Sequence, residues 1–322
     1  MRIVADPFLV ADIGGTNARF AIAVEIGEKY AVRDAMVYRA MDFENVLDAA
    51  TAYLDTVAAK PKRACFAAAG PVVDGKVDFT NSHWTLCGPE IARPLGIEQL
   101  RIVNDFFALA AGFAHLPGDS VLKVKDGSPM TDAPQLVIGP GTGLGQALIA
   151  PTSWGRKVIA TEGGHVAFAP YTQDEIEIRN LISRDHPRVS VERLLSGGGL
   201  VRIHRALCAI EGAGCDFMQA HEITSAATTG GHMIAVKAVE MFCAILGRVA
   251  GDAVLATGAR GGVVLGGGIL PKMKEVFLNS DFLRCFKDKG RMSDYVGAVP
   301  VQLIITENAA LFGAAASMET DN

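Results

Sequence analysis

Paired cysteines are missing from this sequence. Cys65, Cys87, Cys208, Cys215, Cys243 and Cys285 make no CxxC pair, and no Cys/His grouping shows zinc-ligand spacing. Scattered in this way they read as reduced thiols of a cytosolic protein. Residues 1–8 lack the basic start and apolar stretch of a secretory leader. A basic excess is missing too: 30 Lys and Arg face 35 Asp and Glu, a formal net charge of −5. That argues against a nucleic-acid surface, which needs a clustered basic stripe. No long apolar run is free of charge. The longest, residues 232–257, carries Lys237, Glu240, Arg248 and Asp252, so it predicts a buried helix rather than a membrane span.

Glycine is abundant, 35 residues in 322, and it gathers at strand ends. Residues 8–13 form an apolar run that leads into Asp12-Ile13-Gly14-Gly15-Thr16-Asn17-Ala18-Arg19, and residues 18–24 form another. This reads as strand–turn–strand. Gly14 and Gly15 leave successive N–H groups open to an anion. Thr16 and Asn17 add short donors, and Arg19 adds a positive charge. Asp12 supplies a carboxylate that can hold magnesium directly or through water. A tight hairpin that merely needs glycine is the competing reading.

The pattern recurs. Residues 135–138 run into Gly139-Pro140-Gly141-Thr142-Gly143-Leu144-Gly145, and residues 146–150 return. With no Lys after its glycines this is not a P-loop. Two such turns about 125 residues apart exceed the roughly 20–50-residue period of a solenoid and predict two related halves, each offering one turn to a shared phosphate site. Residues 116–133, rich in Pro, Gly, Asp and Ser, mark the boundary. The second half reads as mainly helical after Gly163, over residues 174–183, 198–210, 222–228 and 232–257. A third glycine cluster, residues 261–269 with Gly266 and Gly267, predicts bare backbone against the adenosine end of ATP, or else a close helix–strand approach. Residues 196–199 read as a glycine turn or a helix cap. Residues 301–306 and 309–318 predict a late strand and helix that pack back on the first half.

A hydroxyl acceptor needs a base, and Asp105 is the candidate: it follows an apolar strand and precedes a helix. Asn104 beside it offers an amide to a substrate hydroxyl, unless the pair simply caps the helix. Glu162, His165 and Glu192 offer further partners for a polyhydroxylated substrate.

These residues resemble the bacterial ATP-dependent glucokinases of the actin-like ATPase and sugar kinase superfamily. The likeness runs through DIGGTNAR, TNSHW at residues 80–84, VNDF at 103–106, GPGTGLG, EGGHVAFAP, VERLLSGGGL, GGVVLGGGI and KDKGR at 287–291. The resemblance implies an α/β, two-domain, ribonuclease H-like fold. A smaller domain spans residues 1–115 plus about 303–322, a larger α+β domain spans 116–302, and glucose lies in the cleft between them. It implies phosphoryl transfer from ATP to the 6-hydroxyl of D-glucose, with magnesium, in a cytoplasmic homodimer. Asp105 is then the base, and Asn81, Asn104, Glu162, His165 and Glu192 hold the sugar. Ala11, Asp12, Ile13, Gly14, Gly15, Thr16, Asn17, Arg19, Gly141, Thr142, Gly143, Gly266 and Gly267 hold the nucleotide. The related repressor and kinase family carries a cysteine-rich zinc motif after its EGGH-like histidine. Residues 167–180 hold no cysteine, so no zinc site and no sugar-responsive repressor role is expected. A kinase for another hexose, and a non-catalytic sugar or nucleotide switch, are the rival functions.

Overall fold

The structure, a computed structural model, describes residues 6–79, 82–215 and 218–318. It divides into two compact units, Met1–Ser120 with Thr306–Asn322, and Val121–Ile305.

The first unit is built on β1 (Phe8–Ile13), β2 (Asn17–Ile26), β3 (Lys29–Arg39) and β4 (Arg63–Ala68). A small hairpin of β5 (Lys76–Asp78) and β6 (Thr85–Cys87) follows, then β7 (Gln99–Asn104). The main sheet runs in the order β3-β2-β1-β4-β7. The first three strands are antiparallel neighbours, whereas β1, β4 and β7 run parallel. Alternate residues of a strand face opposite sides of its sheet. Leu9, Ala11 and Ile13 therefore enter one core, and Phe8 and Val10 enter another. Burial on both faces explains why β1 is apolar almost throughout rather than alternating. The first core is closed by α1 (Val46–Val57), capped by Asn45 through the Asp48 N–H at 3.0 Å, and by α2 (Gly88–Leu95). α3 (Asp105–Gly112) lies on the other face.

The second unit repeats that plan. Its strands are β8 (Val121–Lys125), β9 (Gln135–Pro140), β10 (Leu144–Thr152), β11 (Gly155–Thr161), β12 (Gly262–Leu265) and β13 (Val301–Ile304), in the order β11-β10-β9-β12-β13-β8. The first five positions match the first sheet in both order and direction, and β8 adds an antiparallel edge strand. That strand occupies part of the stretch that its turn-forming composition marks as a boundary. Its helices are α4 (Gln173–Ile182), α5 (Gly197–Glu211), α6 (Ala220–Thr229), α7 (Met233–Thr257), α8 (Lys274–Leu278), α9 (Phe282–Lys287) and α10 (Ser293–Gly297). α7 runs through the core, and three of its four charges are paired: Arg248 with Glu175, Asp252 with Lys289 at 2.9 Å and Lys237 with Glu211 at 2.5 Å, while Glu240 is exposed. Among the described residues no helix is long and apolar enough to cross a membrane.

The late strand does not return to the first unit as expected. β13 hydrogen-bonds to β12 and β8 in the second sheet, because a strand needs ladder partners for its backbone and that sheet supplies them on both sides. The chain goes back from Thr306, and α11 (Ala309–Ala316) packs on α3. The approach is close enough that a Cβ on Gly112 would overlap the Gly313 backbone, and one on Gly313 would overlap Ala108.

Candidate functional site

In the first unit the parallel strands set the geometry. Ile13 pairs with Ala68, and Ala68 pairs with Asn104. The ends of β1 and β7 therefore lie on one edge of the sheet, about 10 Å apart at two strand spacings. The turn after β1 and the residue pair Asn104-Asp105 share that edge, where ligands of open α/β sheets bind.

The turn is closed by the Gly14 N–H, which donates to the Asn17 carbonyl at 2.9 Å. That N–H serves the hairpin rather than an anion, because the β1–β2 ladder must be closed at its tip. The Gly15 and Thr16 N–H groups take no part in this bond. Asp12 and Arg19 are cross-strand partners, with Arg19 Nη1 3.8 Å from Asp12 Oδ2. Arg19 also donates to the Glu307 carbonyl and meets Glu307 Oε2 at 3.2 Å. Its charge is therefore shared between two carboxylates of its own chain. Burial pushes the Asp12 carboxyl up, and the Arg19 guanidinium pulls it back.

Asn104 caps α3. Its Oδ1 accepts from the Phe106 and Phe107 N–H groups at 2.9 and 3.1 Å, and its Nδ2 donates to the Gly70 carbonyl at 3.1 Å. The cap reading holds for Asn104, and among the described residues its Nδ2 has one acceptor, the Gly70 carbonyl. Asp105 is the first residue of α3, with Oδ1 accepting from Phe106 N at 2.9 Å. The start of a helix favours a negative charge there. Asn81 lies outside the described residues. Beside it Trp84 is buried and donates from Nε1 to the Phe43 carbonyl at 3.2 Å.

The second turn is closed by Gly141 N–H to Gly143 O at 2.8 Å and is braced twice. The Gly197 N–H at the start of α5 donates to Gly141 O at 2.9 Å, and Glu192 Oε2 accepts from Leu144 N at 2.9 Å. Glu192 is thus built into the glycine turn, a role its sequence position did not signal. Ser196 caps α5, accepting from Gly199 N at 3.0 Å and donating to Glu192 O at 2.9 Å. Glu162 precedes and His165 ends a short 3₁₀ turn, with their side chains 67% and 58% exposed and 3.8 Å apart. Neither is committed to the fold's interior.

At the third cluster, Gly266 follows β12 and abuts Gly139 so tightly that a Cβ on Gly139 would overlap it. Gly267, at φ +81°, lies likewise against Pro140. Packing of one turn on another accounts for Gly139 and Gly267, whereas Gly141 and Gly268 stand open.

A grouping away from these turns escaped the reading by spacing. His204, Cys208 and Cys215 bring their ligand atoms within 4.8 Å of one another.

Comparison with known proteins gives one answer. The Glucokinase family model matches residues 9–321. A glucokinase of Hahella chejuensis is 41% identical over 312 residues, covering 97% of this chain and 96% of that protein. The crystal structure of a glucokinase from an Antarctic psychrotroph superposes with a TM-score of 0.85 at 37% identity, covering 98% of this chain and 100% of the other. A ROK family glucokinase from Streptomyces griseus, solved with glucose and AMPPNP, shares the fold at a TM-score of 0.65 and 19% identity, covering 96% of this chain and 98% of that one.

Proposed function

The chain belongs to the glucokinase family and phosphorylates glucose with ATP, and from that premise we propose that Asp105 is the base that activates the sugar's 6-hydroxyl. The observation that carries this reading is the shared edge: the paired ends of β1, β4 and β7 bring Asp105 to the side of the sheet that carries the first glycine turn. As the 6-oxygen bonds to the γ-phosphorus, the bond from that phosphorus to the ADP oxygen breaks, and the hydroxyl proton passes to an Asp105 carboxylate oxygen. Capping by Asn104 fixes where α3 begins and so where this carboxylate sits.

Asn81, Asn104, Glu162, His165 and Glu192 are assigned to the sugar hydroxyls. The backbone of Ala11, Asp12, Ile13, Gly14, Gly15, Thr16 and Asn17, together with Gly141, Thr142 and Gly143, is assigned to the phosphates, and Gly266 and Gly267 to the nucleoside side. Arg19 acts by holding Asp12. A carboxylate at a phosphate turn suits Mg²⁺, which takes one or two carboxylates beside phosphate oxygens and water, so Asp12 would hold it directly or through water. That ion would neutralise charge on the transferring phosphate. The enzyme works as a cytoplasmic homodimer in this reading.

Asp105→Asn tests the proposal. Glucose binding stays close to wild type while kcat falls by about 10²–10⁴-fold, read by coupled detection of ADP with isothermal titration of glucose. Turnover near wild type removes Asp105 from the role.

A further inference from the structure

The cluster at the end of α5 belongs to neither set of assignments. His204 and Cys208 are one helical turn apart, so they project from the same face, and both are only 1% exposed within the core. Their Nδ1 and Sγ atoms are 4.0 Å apart. The helix then stops at Gly212, at φ +62°, where Ala213 N–H donates back to the Cys208 carbonyl at 3.0 Å. This reversal is the left-handed stop that glycine permits. It returns the chain towards Cys208 and delivers Cys215, an exposed residue, to the same group.

One imidazole nitrogen and two sulfurs are a zinc-type donor set, not a magnesium one. Tetrahedral zinc, with bonds of about 2.3 Å to sulfur and 2.0–2.1 Å to nitrogen, puts its ligand atoms about 3.6–3.8 Å apart. The 4.8 Å limit on the present group lies within side-chain adjustment of that. His232 lies near His204, with ring centroids 5.5 Å apart and the rings tilted at 45°, but its Nδ1 accepts from Ala235 N at 3.1 Å as the cap of α7. That bond places the proton on the other nitrogen and takes His232 out of the donor set.

We propose that His204, Cys208 and Cys215 bind Zn²⁺, with a water or an exogenous ligand in the fourth position reached from the exposed Cys215 side. Binding converts two thiols to thiolates and releases both protons to solvent. It ties the segment after α5 to the helix. The site is separate from the residues assigned to phosphoryl transfer, so its fate does not depend on them.

The test uses full-length, reduced, metal-stripped protein titrated with Zn²⁺ against a chromophoric chelator, and with Co²⁺ as a spectroscopic probe. One tight equivalent is expected, with thiolate-to-cobalt charge transfer and tetrahedral visible bands, and a Tm that rises with Zn²⁺. Cys215→Ser, at an exposed position, folds normally and binds Zn²⁺ more weakly, by more than the roughly 10–100-fold that loss of a mere supporting partner costs. Cys87→Ser, a cysteine outside the group, leaves binding unchanged. Undiminished affinity in Cys215→Ser, cobalt spectra without thiolate charge transfer, or a Cys208–Cys215 disulfide forming in preference to metal uptake under reducing conditions would each overturn the assignment.

Discussion

The two glycine turns follow equivalent strands of equivalent sheets, yet they use glycine differently. The first carries its own chemistry: Asp12 and Arg19 face each other across the β1–β2 pair, and a Cβ on Gly14 would meet only Asn17 O, at 3.4 Å. The second carries no charged side chain and borrows one, from Glu192. Its glycines are divided between packing, where Gly139 meets Gly266, and open backbone, where Gly141 meets nothing within 4 Å. A duplicated strand–turn–strand unit has kept its hydrogen-bonded outline while one copy keeps the charges and the other relies on neighbouring segments for support.

The sharpest break of this contrast is Gly139→Ala beside Gly14→Ala. The new methyl at residue 139 has no flexible side chain to displace, because the atoms it meets are the Gly266 backbone. Overpacking of that kind costs about 1–3 kcal/mol or more. At residue 14 the loss is about 0.5 kcal/mol or less, as for an ordinary surface change. Denaturant midpoints measure both. Equal losses would show that the two turns are packed alike after all.

The same contrast explains what was legible in the sequence. Paired apolar runs ending in glycine pointed to the two halves, and the sheets repeat as those runs imply. The apolar strand runs and the length of α7 were readable because each depends on residues close together in the chain. The Gly139–Gly266 contact was not, because it joins segments far apart and glycine looks the same whether it meets a ligand or a neighbour. Nor was the Glu192 brace, since a carboxylate that accepts a backbone N–H has no spacing rule. β8 was hidden by its boundary-like surroundings. It is a five-residue edge strand, which takes its place from β13 rather than from a pattern of its own. His204 and Cys208 stand at helical spacing, but their third partner arrives only through the reversal at Gly212.

Glu192 sharpens the comparison, since among the described residues the first turn has no counterpart to it. Glu192→Ala removes a charge-assisted bond to Leu144 N, and at this half-buried position the cost is about 1 kcal/mol. Glu192→Gln keeps an acceptor oxygen for that N–H and loses the charge. Its stability therefore stays within about 0.5 kcal/mol of wild type, while the KM for glucose rises if the second oxygen serves a sugar hydroxyl. An unchanged KM in Glu192→Gln with a destabilised Glu192→Ala would make Glu192 a brace of the turn and nothing more.

The smallest structural effect is expected at Gly141. Nothing lies within 4 Å of a Cβ there, so Gly141→Ala changes stability by about 0.5 kcal/mol or less in either direction. Its N–H already serves Gly143 O, and its carbonyl serves the start of α5, which leaves the open face of the backbone as its contribution to a ligand. A methyl on that face obstructs a phosphate that approaches the backbone closely. The KM for ATP should therefore rise while the unfolding midpoint and the KM for glucose hold. If ATP kinetics are also unchanged, the open space at Gly141 is not where the phosphates lie, and the second turn's contribution narrows to Thr142 and Gly143.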